Sequence, residues 1–220
     1  MHYLDIHTHR AKQNHEVIRV QSLTVTDNVL WSMPKTKFIS VGLHPWFSTI
    51  AELETNFRNL KIIATQDNVK LIGECGLDKL RGEKLVDQIY MLTQQVLLAE
   101  QLGKPLILHC VRAFSELIAL KDKLKVKVPM IIHGFNKSEE MGKQLLAKGF
   151  ILSFGADLLK PRSGAASLVQ KTDQFFLETD DSDVPIEEIY THAAFLRNCS
   201  VDALKARIFS DWKKIIKDNV

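Results

Sequence analysis

The chain has 220 residues, 45% of them hydrophobic and 25% charged, with a net charge of +3, a composition that excludes a disordered or fibrous protein and is too weakly basic to require a nucleic-acid partner. No apolar stretch approaches the roughly 18 residues that would span a bilayer, and Met1-His2-Tyr3-Leu4-Asp5 lacks the regions of a signal peptide. Cysteines 75, 110 and 199 are too few and too widely spaced for a disulfide framework, so a cytoplasmic protein with no membrane partner is expected.

From the N-terminus, Tyr3-Leu4-Asp5-Ile6-His7 reads as a short buried strand. Further strands are predicted over 17–24, 37–42, 70–74, 105–109, 129–133, 149–154 and 174–179, each apolar and bounded by turn residues. Between them, 83–103 carries Leu85, Ile89, Leu92, Val96, Ala99 and Leu102 at helical spacing and closes on Gly103 and Pro105. Similar helices fit 48–66, 113–124, 137–148, 161–171, 185–197 and 200–217. Strands alternating with amphipathic helices make repeated βα units, and eight strands in this length predict a single-domain (β/α)8 TIM barrel over 1–220. Thr8 to Glu16 is too short for a crossover helix, so the barrel should be shortened in its first third.

Residues two apart on a strand point to the same side, so His7 and His9 can offer ring nitrogens to one metal ion, with Asp5 on the same side to orient a ligand. Taken alone that pair is weak. Metal-competent residues recur, however, at the ends of later apolar runs: Glu74 after Leu71-Ile72-Gly73, His109 after Pro105-Leu106-Ile107-Leu108, His133 after Pro129-Met130-Ile131-Ile132, and Asp180 after Phe175-Phe176-Leu177-Glu178-Thr179. In a parallel barrel all of these ends converge on one face. Singly, each histidine reads as well as a core residue, and Asp180 as a helix cap; jointly they are a donor set. Four imidazoles and two carboxylates suffice for two divalent cations if one carboxylate bridges them, and Glu74 is the natural bridge. The excess positive charge of two dications suits an anionic substrate such as a phosphodiester.

In chain order, Asp5-Ile6-His7-Thr8-His9, Gly42-Leu43-His44-Pro45, Gly73-Glu74-Cys75-Gly76-Leu77-Asp78, Lys104-Pro105 leading to His109, His133-Gly134-Phe135, Ser153-Phe154-Gly155 and Leu177-Glu178-Thr179-Asp180 resemble the TatD family of metal-dependent hydrolases, within the amidohydrolase-like superfamily. The resemblance covers nearly the whole chain. It implies one metal held by His7, His9, Glu74 and Asp180 and another by Glu74, His109 and His133, with Asp180 also taking a proton from the attacking water. It further implies that His44 and Arg112 contact a substrate phosphate. The implied activity is that of a deoxyribonuclease using two divalent ions (zinc, manganese or magnesium) on DNA or another phosphodiester. An ester or amide hydrolase, such as a deacylase, and a metal-stabilised binding protein are the other readings. The chain departs from the family at Lys79-Leu80, where an aromatic pair is usual, at Val111, which puts Arg112 one place late, and at Asp181-Ser182, where a proline is usual. None of these is a candidate metal ligand.

Overall fold

The computed structural model describes residues 1–10, 14–26, 33–161 and 163–217. Its strands are β1 (Tyr3–Thr8), β2 (Val17–Thr24), β3 (Ile39–Gly42), β4 (Val69–Asp78), β5 (Leu106–Val111), β6 (Met130–Ile132), β7 (Phe150–Phe154) and β8 (Phe175–Leu177). The helices are α1 (Leu53–Ile63), α2 (Leu85–Leu102), α3 (Phe114–Leu124), α4 (Glu139–Ala147), α5 (Gly164–Lys171), α6 (Ile186–Leu196) and α7 (Val201–Ile215). The strands follow chain order along one sheet. Parallel registers join β1 to β2, β3 to β4, β4 to β5 and β7 to β8, and a parallel bridge between Thr8 and Asp180 joins the first strand to the end of the last. This is the (β/α)8 topology that the alternation of apolar runs and amphipathic helices predicts. Among the described residues no helix stands between β1 and β2 or between β2 and β3, which is the expected shortening. Arg162, inside the predicted helix 161–171, lies outside the described residues.

The chain forms two compact units, Met1–Gln21 with Ile131–Val220, and Ser22–Met130. In the first, hydroxyl caps start three helices: the side chains of Ser138, Ser163 and Ser200 accept from the N–H groups of Met141, Ala166 and Ala203 at the heads of α4, α5 and α7. Phe154, Phe175, Phe176, Tyr190 and Trp212 are among its fully buried side chains. The Phe154 and Phe175 rings meet edge to face at 5.8 Å, and Phe176 meets Trp212 likewise at 6.4 Å. Tyr190 satisfies its buried hydroxyl on the β1 backbone, donating to the Leu4 carbonyl at 3.0 Å, which ties α6 to the strand that carries the first histidines.

In the second unit α2 ends where sequence places its stop: Gly103 is left-handed (φ 65) and its N–H reaches the Ala99 and Glu100 carbonyls. The buried face of α2 carries two glutamines seven residues apart. The Gln95 amide accepts from Leu43 N–H at 2.7 Å and donates to its carbonyl at 3.1 Å, while Gln88 accepts from Asp78 N–H at 2.7 Å and donates to its carbonyl at 2.9 Å. One helix face thereby holds the ends of both β3 and β4. Predicted α1 starts later than its apolar period suggests, at Leu53, because Phe47 and Ser48 donate to the His44 carbonyl in a turn.

The largest departure from expectation is β4, which does not end at Glu74 but runs on to Asp78. Ile72 pairs with Leu106 and Cys75 with Leu108, so three steps of β4 face two of β5, a bulge at Gly73 and Glu74. Glycines permit it: Gly73 and Gly76 have φ of 132° and 149°, and a Cβ on Gly76 would collide with the His109 carbonyl. Gly76→Ala should therefore cost about 3 kcal/mol of stability, combining overpacking with a disfavoured dihedral. Urea unfolding should show a lowered midpoint at unchanged m, and an unaltered midpoint would contradict this account of the bulge.

Candidate functional site

In the unit formed by Met1–Gln21 and Ile131–Val220, the end of β1 and the segment after β8 are laced together. Asp180 N–H donates to the His7 carbonyl at 2.9 Å, and His9 N–H to the Asp180 carbonyl at 3.4 Å. Asp180 is left-handed (φ 51), a conformation that aspartate tolerates better than most residues. His7 Nε2 and His9 Nε2 each lie 3.5 Å from Asp180 Oδ1, and His133 Nδ1 lies 3.9 Å from Oδ2. These separations exceed good hydrogen bonds. They match donors sharing an ion, since two ligands at about 2.1 Å with tetrahedral geometry are about 3.4 Å apart. Donor atoms of His7, His133 and Asp180 fall within 4.8 Å of one another, as do those of His9, Asp180 and Asp181. His7 is buried, while the side chains of His9 and Asp180 keep 37% and 36% exposure, so this donor set is open on one side.

Two further carboxylates sit behind it. Asp5 accepts from Thr179 N–H at 2.9 Å and from its hydroxyl at 2.7 Å, with Arg19 Nε at 3.7 Å. Asp5 thereby pins the segment that carries Asp180. Burial pushes the Asp5 carboxyl up to about 6, with Glu178 adding to the rise and the Thr179 bonds and Arg19 opposing it. Glu178, also buried, accepts from Gly134 N–H, faces His133 Nδ1 at 3.6 Å, and leaves Oε2 without a hydrogen-bond partner among the described residues. Sequence reasoning passed over Glu178; the signal was an acidic residue continuing the apolar run Phe175-Phe176-Leu177.

In the unit Ser22–Met130, Gln95 holds Leu43 and so places His44, whose Nδ1 accepts from Trp46 N–H at 3.1 Å. That bond puts the ring proton on Nε2, which donates to Glu74 Oε1 at 2.9 Å. His109 Nδ1 approaches the same Glu74 oxygen at 3.2 Å, and its Nε2 lies 3.1 Å from Asp78 Oδ2. His44, Glu74 and His109 are all buried, with donor atoms within 4.8 Å. Asp78 also accepts from Trp46 Nε1 at 2.6 Å and Leu80 N–H at 2.7 Å. Burial alone would raise its carboxyl, but these bonds and His109 outweigh it and hold the group below the usual range. Arg112, just beyond β5, is exposed with φ 53 and has no ion-pair partner among the described residues. Burial raises the Cys75 and Cys110 thiols, the latter to about 12, as suits packing residues. Missed from sequence were the partners Trp46, Asp78, Gln88 and Gln95; the two glutamines had a signal, polar residues at heptad spacing on an apolar helix face.

Both histidine–carboxylate clusters have the donor set of a divalent-metal site, on a (β/α)8 fold. Two solved structures share that fold across 97% of this chain: YjjV, a TatD homologue from Escherichia coli, at TM-score 0.79, 20% identity and 97% of its own length, and a TatD-family hydrolase from Entamoeba histolytica at 0.78, 15% and 97%. The profile of the TatD-related DNase family matches residues 5–219, and the chain belongs to that family. A relative from Cronobacter turicensis, a 3'-5' ssDNA/RNA exonuclease TatD, is 32% identical over 147 residues, 64% of this chain and 56% of that protein. The match thus spans little more than half of that relative's length. A metal-dependent hydrolase from Haemophilus influenzae is 22% identical over 84% of this chain and 83% of its own.

The raised Asp5 carboxyl carries a signed pH dependence. Folded protein holds this proton to about pH 6 while the unfolded chain releases it near 3.8, so the group favours folding at low pH and loses that contribution as pH rises through 6. Asp5→Asn can keep the bond from Thr179 N–H and let the Thr179 hydroxyl accept from the new amide instead of donating. In metal-free protein its stability relative to wild type should improve by roughly 2.5 kcal/mol between pH 4 and pH 7.5, each tenfold difference in proton affinity between folded and unfolded chain being worth about 1.4 kcal/mol. Urea unfolding across that range is the measurement, and a difference independent of pH would remove the raised carboxyl.

Proposed function

We propose that this chain, acting as a single catalytic domain over 1–220, is a divalent-metal-dependent hydrolase of phosphodiester bonds in nucleic acid, most simply DNA. The observation that carries the reading is Asp180, whose Oδ1 stands 3.5 Å from both His7 Nε2 and His9 Nε2 while its Oδ2 faces His133. The exonuclease relative's named substrates, single-stranded DNA and RNA, supply the substrate class. His7, His9, His133 and Asp180 would hold one ion, and Glu74 and His109 would serve a second. Zinc or manganese suits the imidazole-rich sets best by ligand softness, and magnesium remains a candidate for turnover.

A divalent ion in such a set acidifies water and stabilises negative charge on phosphoryl oxygen. Asp180, with its 36% exposure, is a carboxylate that water can reach, and it takes the proton of the attacking water. Asp5 and Thr179 keep it in register. Arg112, exposed beyond β5, offers a guanidinium to a phosphate oxygen. His44 already places its Nε2 proton on Glu74, so it orients that carboxylate, and a phosphate contact would compete for the same proton. No helix among the described residues is long and apolar enough to cross a membrane; buried thiols at Cys75 and Cys110 suit a reducing compartment, and the cytoplasm is the proposed location.

Metal-free protein reconstituted with manganese, zinc or magnesium should regain cleavage of single-stranded DNA, and Asp180→Asn should lose about 10²- to 10⁴-fold in kcat, the usual contribution of a general base. Undiminished turnover in that variant would remove Asp180 as the base. Inert phosphodiesters alongside cleavage of a carboxylic ester or an aminoacylated RNA would move the protein to the ester and amide hydrolases.

A further inference from the structure

Asp78 closes the Gly73-Glu74-Cys75-Gly76-Leu77-Asp78 motif yet has no place in either donor set. It is buried at the end of β4. Its backbone is clamped on both sides by the Gln88 amide, which accepts from its N–H and donates to its carbonyl. Its side chain is just as constrained. Oδ1 accepts from Leu80 N–H at 2.7 Å, and Oδ2 accepts from Trp46 Nε1 at 2.6 Å. Backbone N–H and indole N–H are donors with no acceptor capacity, and a carboxylate accepts without donating. The third nitrogen at this group is His109 Nε2, 3.1 Å from Oδ2. With both oxygens already receiving donors, the arrangement is satisfied when that nitrogen also carries its hydrogen. The other ring nitrogen, Nδ1, then presents a lone pair on the side where Glu74 Oε1 lies at 3.2 Å.

We propose that Asp78 is a positioning residue that fixes His109 as its Nε2–H tautomer, leaving Nδ1 as the nitrogen that binds a divalent ion beside Glu74. The inference rests on the metal-centre reading for the identity of the ligand, although the tautomer itself is a property of the metal-free ring. Carboxylates that hold the distal N–H of a ligating imidazole both aim the ring and raise its basicity. Here the aim is enforced by a carboxylate whose own position is set by α2 through Gln88, by Trp46 and by the Leu80 turn. If Asp78 merely stabilised the Leu80 turn, the His109 tautomer would be indifferent to it.

Two measurements test this. In metal-free wild-type protein labelled with ¹⁵N-histidine, at pH 8, the His109 ring should show a protonated Nε2 and an unprotonated Nδ1. Asp78→Asn replaces one acceptor oxygen by an amide donor, and should erode that preference and weaken binding of zinc or manganese, followed by calorimetry, by about 10- to 100-fold at one site. A protonated Nδ1 in wild type, or equal metal affinity in Asp78→Asn, would overturn the proposal. Wild-type protein that binds no divalent ion would instead overturn the metal-centre reading, while the ring spectrum still decides what Asp78 does to His109. Should Asp78→Asn fail to fold, the wild-type spectrum decides without it.

Discussion

Asp5, Glu74, Asp78 and Glu178 are carboxylates almost wholly removed from water, and a buried charge without partners costs several kcal/mol. Much of the local architecture around the two clusters is the means of supplying those partners. Asp5 draws Thr179 onto β1 through two bonds, and that pairing keeps Asp180 beside His7 and His9. Glu74 collects His44 and His109 on one oxygen. Asp78 gathers an indole, a backbone amide and an imidazole, and Glu178 takes the Gly134 amide. A cation is another partner that meets the same demand, so the groups that satisfy one another in this structure are also of the donor types that suit a divalent ion.

The second unit shows how a helix can deliver precision without touching a ligand. Gln88 and Gln95 lie two turns apart on α2, and each amide closes both polar groups of a strand-end residue, Asp78 and Leu43. Apolar packing at those points would fix distance but not rotation; paired hydrogen bonds fix both. The next residue after Leu43 is His44, and Asp78 reaches His109, so the orientation of two imidazoles is set from one helix face. The glycine bulge in β4 complements this, because it lets β4 lie against the His109 backbone while turning Glu74 toward the two rings.

The sheet and helices were legible because their signals are local. Strand periodicity put His7 and His9 on one side, Gly103 marked the end of α2, and the shortened first third followed from the short span between Thr8 and Glu16. Glu74 was legible as a carboxylate closing an apolar run but not as a bulge residue, since a register shift depends on how β4 meets β5 more than thirty residues later. Asp78, Trp46 and Glu178 escaped notice for a related reason: each acts through a partner distant in sequence, and an aspartate that ends a strand looks the same whether it caps a turn or holds an imidazole.

By itself, then, the order of residues determined the eight-strand topology and the donor types at strand ends, because both follow from the two-residue period of strands and the chemistry of the side chains. Tertiary structure decided which nitrogen of each imidazole faces which oxygen. It also decided that His44 stands on Glu74, that Asp5 pins Thr179, and that Asp78 rather than solvent meets His109. Those choices depend on rotations about side-chain bonds inside a packed core, where distant segments, not neighbours in sequence, leave room for one arrangement.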